Sequence, residues 1–349
     1  LNSQTNKAKA LVLQWGWNAS AFQILNPGMQ LWFSAQNDAV IGYVEYSGIR
    51  VVAGAPVCSE QRLKAVIDEF ESASRSVCYF GAESRLRRIL DASESHFCLS
   101  IGAQPVLNPQ QWLFTLSRKA SLRAQINRAK NKVVSVKEYS THVPLELDLT
   151  PCLNEWLQSR RAETLHFLVE PEVLALLPGR RLFVSQRNNA VVGFLIAAPI
   201  PQRNGWLIEH VIRGSQAPNG TNEQLLDAAM NTFYKEGYTH VTLGLIPLLH
   251  LESTTPLWAR IVYRWMRLLG SWAYNVQGLD YFKSKMQPAY WEPVEMIVNA
   301  PKVSLLHFYA VGQAFTQKAL LSFVLKSAIK HLSNRLGFKQ RWLSLKTLH

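Results

Sequence analysis

Metal-ligand and disulfide patterns are what this sequence lacks. The four cysteines, Cys58, Cys78, Cys98 and Cys152, form no CxxC pair, and the nine histidines form no HxxxH or HExxH spacing. Neither a metal site nor a disulfide framework is therefore expected, and the thiols read as buried or neutral side chains. No run approaches about 18 uninterrupted apolar residues, and nothing resembles a signal peptide. Membrane contact by these residues is expected to be peripheral. Acid is also scarce: 24 Asp and Glu stand against 37 Lys and Arg, a net charge of +13. That surplus attracts polyanions, whether nucleic acid or an anionic lipid surface, and charge alone does not choose between them. With 349 residues and 48% hydrophobic content, the chain exceeds one ordinary compact domain, so two domains are expected. Leu1, where a chain start would carry Met, suggests a piece of a longer protein.

What is present repeats. "NDAVIGYVEY" (37–46) and "NNAVVGFLIA" (188–197) each place a polar turn before an apolar, β-branched strand, as hairpin returns do. Each is followed by a helical pattern and a further strand. Aligned on Glu60 and Glu223, these strands reach Gly81 and Gly244 after the same 21 residues, which argues for duplication. The order, antiparallel strands, then a helix, then a returning strand, is that of a GNAT-type acyltransferase. The expected fold is α/β (α+β), with tandem GNAT-like domains at 1–116 and 141–300 joined by a basic helix at 117–140 and followed by a basic amphipathic tail at 301–349.

Within the joining segment, the stretch from Ser117 to Lys137 contains Arg118, Lys119, Arg123, Arg128, Lys130, Lys132 and Lys137 and no acid. Without acids to form i,i+4 pairs, like charges repel along a helix unless a polyanion lies against it. A phosphate-backbone contact is the preferred reading, with a solvated connecting helix as the alternative. The tail also lacks acid and threads lysines and arginines through apolar runs, which fits either an interfacial helix or a helix packed on the domain with its basic face in water.

In "RNGWLIEHVIRGSQAPNGTNEQLL" (203–226), strand alternation would put Glu209 and Val211 on one side and His210 and Ile212 on the other. One ionisable group would then be buried, with Arg213 near enough to pair it. Thr221 and Gln224 have the spacing of a capping box, with Gly220 giving turn freedom ahead of the helix. The amides from Asn219 to Glu223 would offer a partial positive charge to a phosphate or oxyanion. In "GLDYFKSKMQPAYWEPVE", Lys283 and Lys285 would share a face if extended and grip an anion. Surface lysines are the plainer alternative.

"SLRAQINRAKNK", "FLVEPE", "LGLIPL", "GLDYFKSK" and "YWEPV", together with the stretch at 203–226, resemble the C-terminal synthase domain of phosphatidylglycerol lysyltransferases, the multiple peptide resistance factor family. The resemblance runs in consistent order from about Trp15 to Val298. It implies tandem GNAT folds, an aminoacyl-tRNA donor, a phosphatidylglycerol acceptor at an anionic membrane surface, and no metal or cofactor. It also implies a place at the cytoplasmic face of a bacterial membrane, with an upstream membrane domain outside these residues. The family's acid-x-x-Arg element falls on His210 and Arg213, so a His stands where an Asp is usual, beside Glu209. Its Phe-Lys-x-Lys element falls on Lys283 and Lys285, and its Trp-Glu-Pro on Trp291, Glu292 and Pro293. On this reading Glu209 or His210 is the base or its orienting partner, while Arg213, Lys283 and Lys285 hold the anion. Glu170 meets a cationic amino group, Glu292 helps bind substrate, and Arg118 to Lys132 face the tRNA. An acyl-CoA or carrier-protein donor is the rival, disfavoured because "APNGTNEQ" lacks the usual Gln/Arg-x-x-Gly-x-Gly/Ala loop. A silent lipid- or RNA-binding scaffold is the third reading.

Overall fold

The structure is a computed structural model that describes residues 3–91, 95–141, 146–160, 165–253, 255–270 and 276–317. One mixed sheet organises it. The strands are β1 (Gln30–Phe33), β2 (Val40–Tyr46), β3 (Ile49–Ala53), β4 (Val77–Ala82), β5 (Phe97–Leu107), β6 (Ser135–Tyr139), β7 (Arg181–Arg187), β8 (Ala190–Ile200), β9 (Gly205–Arg213), β10 (His240–Thr242), β11 (Ile246–Pro247) and β12 (Tyr290–Val298). Their order across the sheet is β1-β2-β3-β4-β12-β5-β10-β9-β8-β7-β6, with β11 beside β5.

This order contains the repeat read from the sequence. β1-β2-β3 form an antiparallel meander and β3 runs parallel to β4; β7-β8-β9 form a second meander and β9 runs parallel to β10. The polar turns ahead of β2 and β8 use left-handed asparagines, Asn37 at φ 59° and Asn188 and Asn189 at φ 50° and 61°, a conformation that short polar side chains tolerate. Gly81 and Gly244 both have positive φ, 82° and 75°. The last strand of each half is exchanged. β12 enters between β4 and β5, while β5 pairs with β10, so the centre of the sheet is the antiparallel β5–β12 contact.

Helices α1 (Ser3–Trp15), α2 (Leu63–Ser72), α3 (Ser84–Leu90), α4 (Trp112–Arg118), α5 (Ala120–Asn131), α6 (Thr150–Ser159), α7 (Thr221–Lys235), α8 (Leu257–Gly270), α9 (Val276–Lys285) and α10 (Leu305–Thr316) cover the faces. In the first half, Leu63, Val66, Ile67 and Phe70 of α2 recur at helical spacing and pack on one face with Ile41, Val52 and Tyr79. Val12 of α1, Tyr263 of α8 and Ala310 and Ala314 of α10 share the core on the other face with Val51, Cys78 and Met296. In the second half, α7 buries Leu225, Leu226, Ala229, Met230 and Phe233 against Phe183, Leu195 and Trp206. Its partner α5 shows a buried stripe of Leu122, Ile126 and Ala129. On the opposite side, Cys152 and Leu153 of α6 pack with Phe194, Ile196 and Ile212. The four cysteines are free thiols, three buried and Cys98 half-buried. Among the described residues, no helix is long and apolar enough to cross a membrane.

The basic segment at 117–140 is helical only in part: its first two residues end α4, the chain breaks at Lys119, α5 follows, and the segment closes in strand β6. Of the tail at 301–349, only 301–317 lie within the described residues; α10 opens with a capping box between Ser304 and His307. The basic residues from Lys318 onward lie outside the described residues.

Candidate active site

β9 and β10 run side by side only from Gly205 to Leu207. Beyond Leu207, β9 continues to Arg213, whereas the chain leaving β10 turns at Gly244 and follows β5 through Ile246 and Pro247. The sheet therefore splits along the last residues of β9. In the first half the matching space is filled by protein: a 3-10 helix, Ala19–Leu25, lies there, and a Cβ on Gly54 would overlap Ser20 Oγ. Asn18 donates its side-chain amide to the Gly81 carbonyl at 2.8 Å. At the equivalent carbonyl of the second half, Gly244, the donor is the Lys283 amine, at 2.8 Å, with Leu245 O at 3.2 Å. Lys283 is buried, and burial pushes its pKa down to about 7.

Glu209 is where β9 departs from simple alternation. His210 pairs with Ile196 and Ile208 with Ala197, which leaves Glu209 as an extra residue opposite neither, a β-bulge. The burial pattern records the resulting change of phase. Trp206, Ile208 and Val211 face the α7 side, while Ile212 faces the α6 side. The expectation that Glu209 and His210 point to opposite faces is thus corrected, because the inserted residue turns both toward one cavity. That cavity is lined by Glu209, His210, Glu170, Arg180, Asn26 and Ile196 among others, with space for about one water-sized group.

Charge in this cavity is organised around Arg180, which the sequence reading missed. Its guanidinium pairs with both Glu209 oxygens, Nη2 to Oε1 at 3.1 Å, and also reaches Asn26 Oδ1 at 3.2 Å and the Leu176 carbonyl at 2.7 Å. Arg180 was expected neither as a site residue nor as the partner of Glu209. The partner proposed from the sequence, Arg213, is exposed at the far end of β9. Glu170 is buried and accepts from His166 Nδ1 at 3.1 Å if that nitrogen carries the proton. Among the described residues, the lining thus has two carboxylates against one guanidinium. Burial pushes His210 down to about 4, with Arg160 and Arg180 acting in the same direction and Glu209 opposing, so its ring is uncharged at neutral pH. Its ring meets Trp156 edge-on at 6.4 Å, and the Arg160 guanidinium lies over Trp156.

Three further expectations change. "GLDYFKSK" is helical, forming most of α9, so Lys283 and Lys285 diverge rather than sharing an extended face. Lys285 pairs with Glu223 at 2.7 Å, in the first turn of α7. The Thr221/Gln224 capping box does not form, because Gly220 at φ 98° is the N-cap. Thr221 donates its hydroxyl to Pro218 O, and Gln224 donates its amide to Val134 O. The start of α7 is not an open anion site either: α5 lies on it so closely that a Cβ on Gly220 would overlap the Gln125 carbonyl oxygen. Asn219 is exposed, and neither it nor Gly220 nor Thr221 lines the Glu209 cavity.

Glu292 lies elsewhere, in a buried cluster at the centre of the sheet. Arg203 clamps it through two bonds of 2.8 and 3.0 Å and holds Glu83 at 2.8 Å. Gln104 donates to Glu292, the Ala19 amide donates to Glu83, and Trp17 lies under the Arg203 guanidinium. This arrangement reads as an ion network tying the two halves together. Of the residues expected to face RNA, Arg118, Arg123, Arg128, Lys130 and Lys132 are exposed and Lys119 is half-buried. Arg123 holds the carbonyls of Leu116 and Ser117, and Lys130 lies 3.6 Å from Asp227. The signals that could have pointed to Arg180 and Arg203 are weak: a "GRRLF" run ahead of β7 and a lone Arg in the β8–β9 turn.

Two solved structures share this architecture. The C-terminal domain of a putative lysylphosphatidylglycerol synthetase from Agrobacterium fabrum superposes with a TM-score of 0.76 at 17% identity, covering 90% of this chain and 96% of that one. L-PGS from Bacillus licheniformis gives 0.75 at 20% identity, covering 88% and 95%. Comparison with curated proteins gives no match. The tandem GNAT-like α/β fold expected from the repeat is the fold observed. A family model described as phosphatidylglycerol lysyltransferase, C-terminal, matches residues 9–297, so the chain belongs to that family.

Proposed function

We propose that this chain moves an aminoacyl group from an aminoacyl-tRNA to the hydroxyl of phosphatidylglycerol or a similar anionic lipid. The observation that carries the reading is the split beside the β9 bulge. A buried lysine stands at its edge, with a carboxylate-lined cavity on one side of the sheet and a basic, acid-free helix on the other. The donor ester is already activated, so the protein has to orient the acceptor, take up its proton and stabilise a tetrahedral oxyanion.

Lys283 suits the proton step. As a neutral amine it has two N–H groups, which the Gly244 and Leu245 carbonyls accept, and one lone pair remaining. The lipid oxygen attacks the ester carbonyl carbon while its proton passes to that lone pair. Collapse of the tetrahedral intermediate then breaks the bond to the ribose oxygen, which leaves with the proton from Lys283. The carboxylate surplus around Glu170 and Glu209 suits a cationic amino group, and the space there matches one ammonium. Arg180 holds Glu209 in position, and Arg213 is left for an anion approaching the exposed end of β9.

An acyl-CoA donor is disfavoured because a diphosphate would seek the N-terminus of α7, which α5 covers. The deciding assay incubates the protein with radiolabelled aminoacyl-tRNA and phosphatidylglycerol vesicles. Ribonuclease-sensitive label in the lipid is the expected result. Label that appears only with acyl-CoA moves the answer to that donor, and failure with every donor alongside intact binding leaves a silent scaffold.

The membrane side of this reading draws on α8 and α10, which pack on the same core. They expose Leu257, Trp258, Ile261, Leu305 and Leu306, with Arg260, Arg264 and Lys302 also exposed. Apolar anchors among cations fit an anionic bilayer surface. Trp258→Asp is expected to weaken binding to phosphatidylglycerol vesicles about tenfold or more in a sedimentation assay. Unchanged binding would move the contact to another face.

A further inference from the structure

We propose that the open groove between α5 and α9 holds the single-stranded 3′ end of the donor RNA, with Tyr281 as the platform on which a base stacks. The proposal rests on the aminoacyl-tRNA reading above and gives it a location. Lys119 and Gln125 line one wall, and Tyr281, Ser284, Lys285 and Gln287 line the other. The cavity measures about 360 Å³, room for a base and its sugar but not for a duplex. Among the described residues, no carboxylate lines it.

The lining chemistry selects the ligand. Grooves for single-stranded nucleic acid combine cations that follow the backbone with an aromatic face for stacking. Tyr281 is 74% exposed although its neighbour Phe282 packs against the core and Met286, just past the end of α9, is buried in it. Lys119 supplies a cation, Lys285 is engaged by Glu223 at the groove's edge, and amide and hydroxyl side chains supply donors and acceptors for base edges. The groove also has direction. On its α5 side Arg128 and Lys132, both exposed, follow Ser121 and Gln125 at helical spacing, and would carry a duplex backbone. On its α9 side Lys285 is two residues from Lys283, at the sheet split. A strand end lying in the groove thereby runs from the basic helix to α9, the helix that carries Lys283 on another of its faces.

The test is fluorescence anisotropy with two 5′-labelled RNA hairpins, one ending in a four-nucleotide single-stranded 3′ tail and one blunt. The wild-type protein is expected to bind the tailed hairpin more tightly. Tyr281→Ala should weaken binding of the tailed hairpin about tenfold or more and leave the blunt one unchanged, whereas Tyr281→Phe retains both. Arg128→Ala should weaken both. The proposal is overturned if wild type does not prefer the tail, if Tyr281→Ala binds the tailed hairpin as wild type does, or if it loses both hairpins equally. The lipid-labelling assay separates the two levels. Ribonuclease-sensitive lipid label with unaltered Tyr281→Ala binding removes the groove alone, and absence of that label removes the aminoacyl-tRNA reading.

Discussion

Replacing Lys283 by methionine is expected to lower the rate of lipid labelling about a hundredfold or more, the range associated with loss of a positioned general base. The methionine keeps the apolar stem of the lysine and removes only the amine, so circular dichroism should be unchanged. Lys283→Arg should not restore the rate, because a guanidinium stays protonated and has no lone pair to offer. The pH profile gives the second measure. Burial holds the Lys283 amine near 7, so the wild-type rate should rise with pH as the ammonium form is lost and level off above about 7. The methionine variant should lack that acid limb. If the variant labels lipid within a few-fold of wild type, or keeps the limb at the same pH, the proton goes to another group, with His210 the next candidate.

Arg203→Met should have the largest effect on stability. It leaves Glu83 and Glu292 facing each other in the interior without their shared guanidinium, and removing one member of such a cluster costs about 3–5 kcal/mol. Urea denaturation at pH 8 measures this. Already in the wild type, burial first and the Glu292 carboxylate second push Glu83 up to about 7. A carboxyl whose pKa is higher folded than unfolded binds more protons in the native state, so its contribution to stability is greatest at low pH and is lost as pH rises through about 7. Without the arginine this dependence should steepen, and the variant should recover part of its deficit at pH 5. A deficit equal at both pH values would assign the loss to packing against Trp17 rather than to charge. Glu83→Gln in the Arg203→Met background should recover stability at pH 8 as well.

The repeat was legible because hairpin turns and strand–helix–strand spacing are local. Asn37, Asn188, Gly81 and Gly244 mark the turns through backbone conformations that few residues adopt, and the matched interval from Glu60 to Gly81 and from Glu223 to Gly244 survives duplication. The β9 bulge was not legible, since one inserted residue at Glu209 leaves no compositional trace and takes that residue out of the alternation inferred from period 2. Arg180 was missed because it lies 29 residues upstream of the carboxylate it holds, a contact set by β7–β8–β9 pairing rather than by sequence neighbours. The helix at Lys283 and Lys285 was open to an extended reading because a strand follows closely, with β12 beginning at Tyr290 after a short turn. For Thr221, the T-x-x-Q spacing fitted a cap, but Gly220 can enter the left-handed region and takes the capping position instead.

The exchange of β5 and β12 governs how the chain can be made and divided. As the polypeptide emerges from the ribosome, β4 and β5 have no common neighbour until residues 290–298 have been synthesised, so the first meander must wait, edges open, for a segment encoded more than 180 residues after β5 ends. Cleavage between the repeats would therefore not release two autonomous modules. It would yield two fragments, each with an unsatisfied ladder of backbone donors and acceptors, prone to aggregate separately and suited to reassemble when mixed.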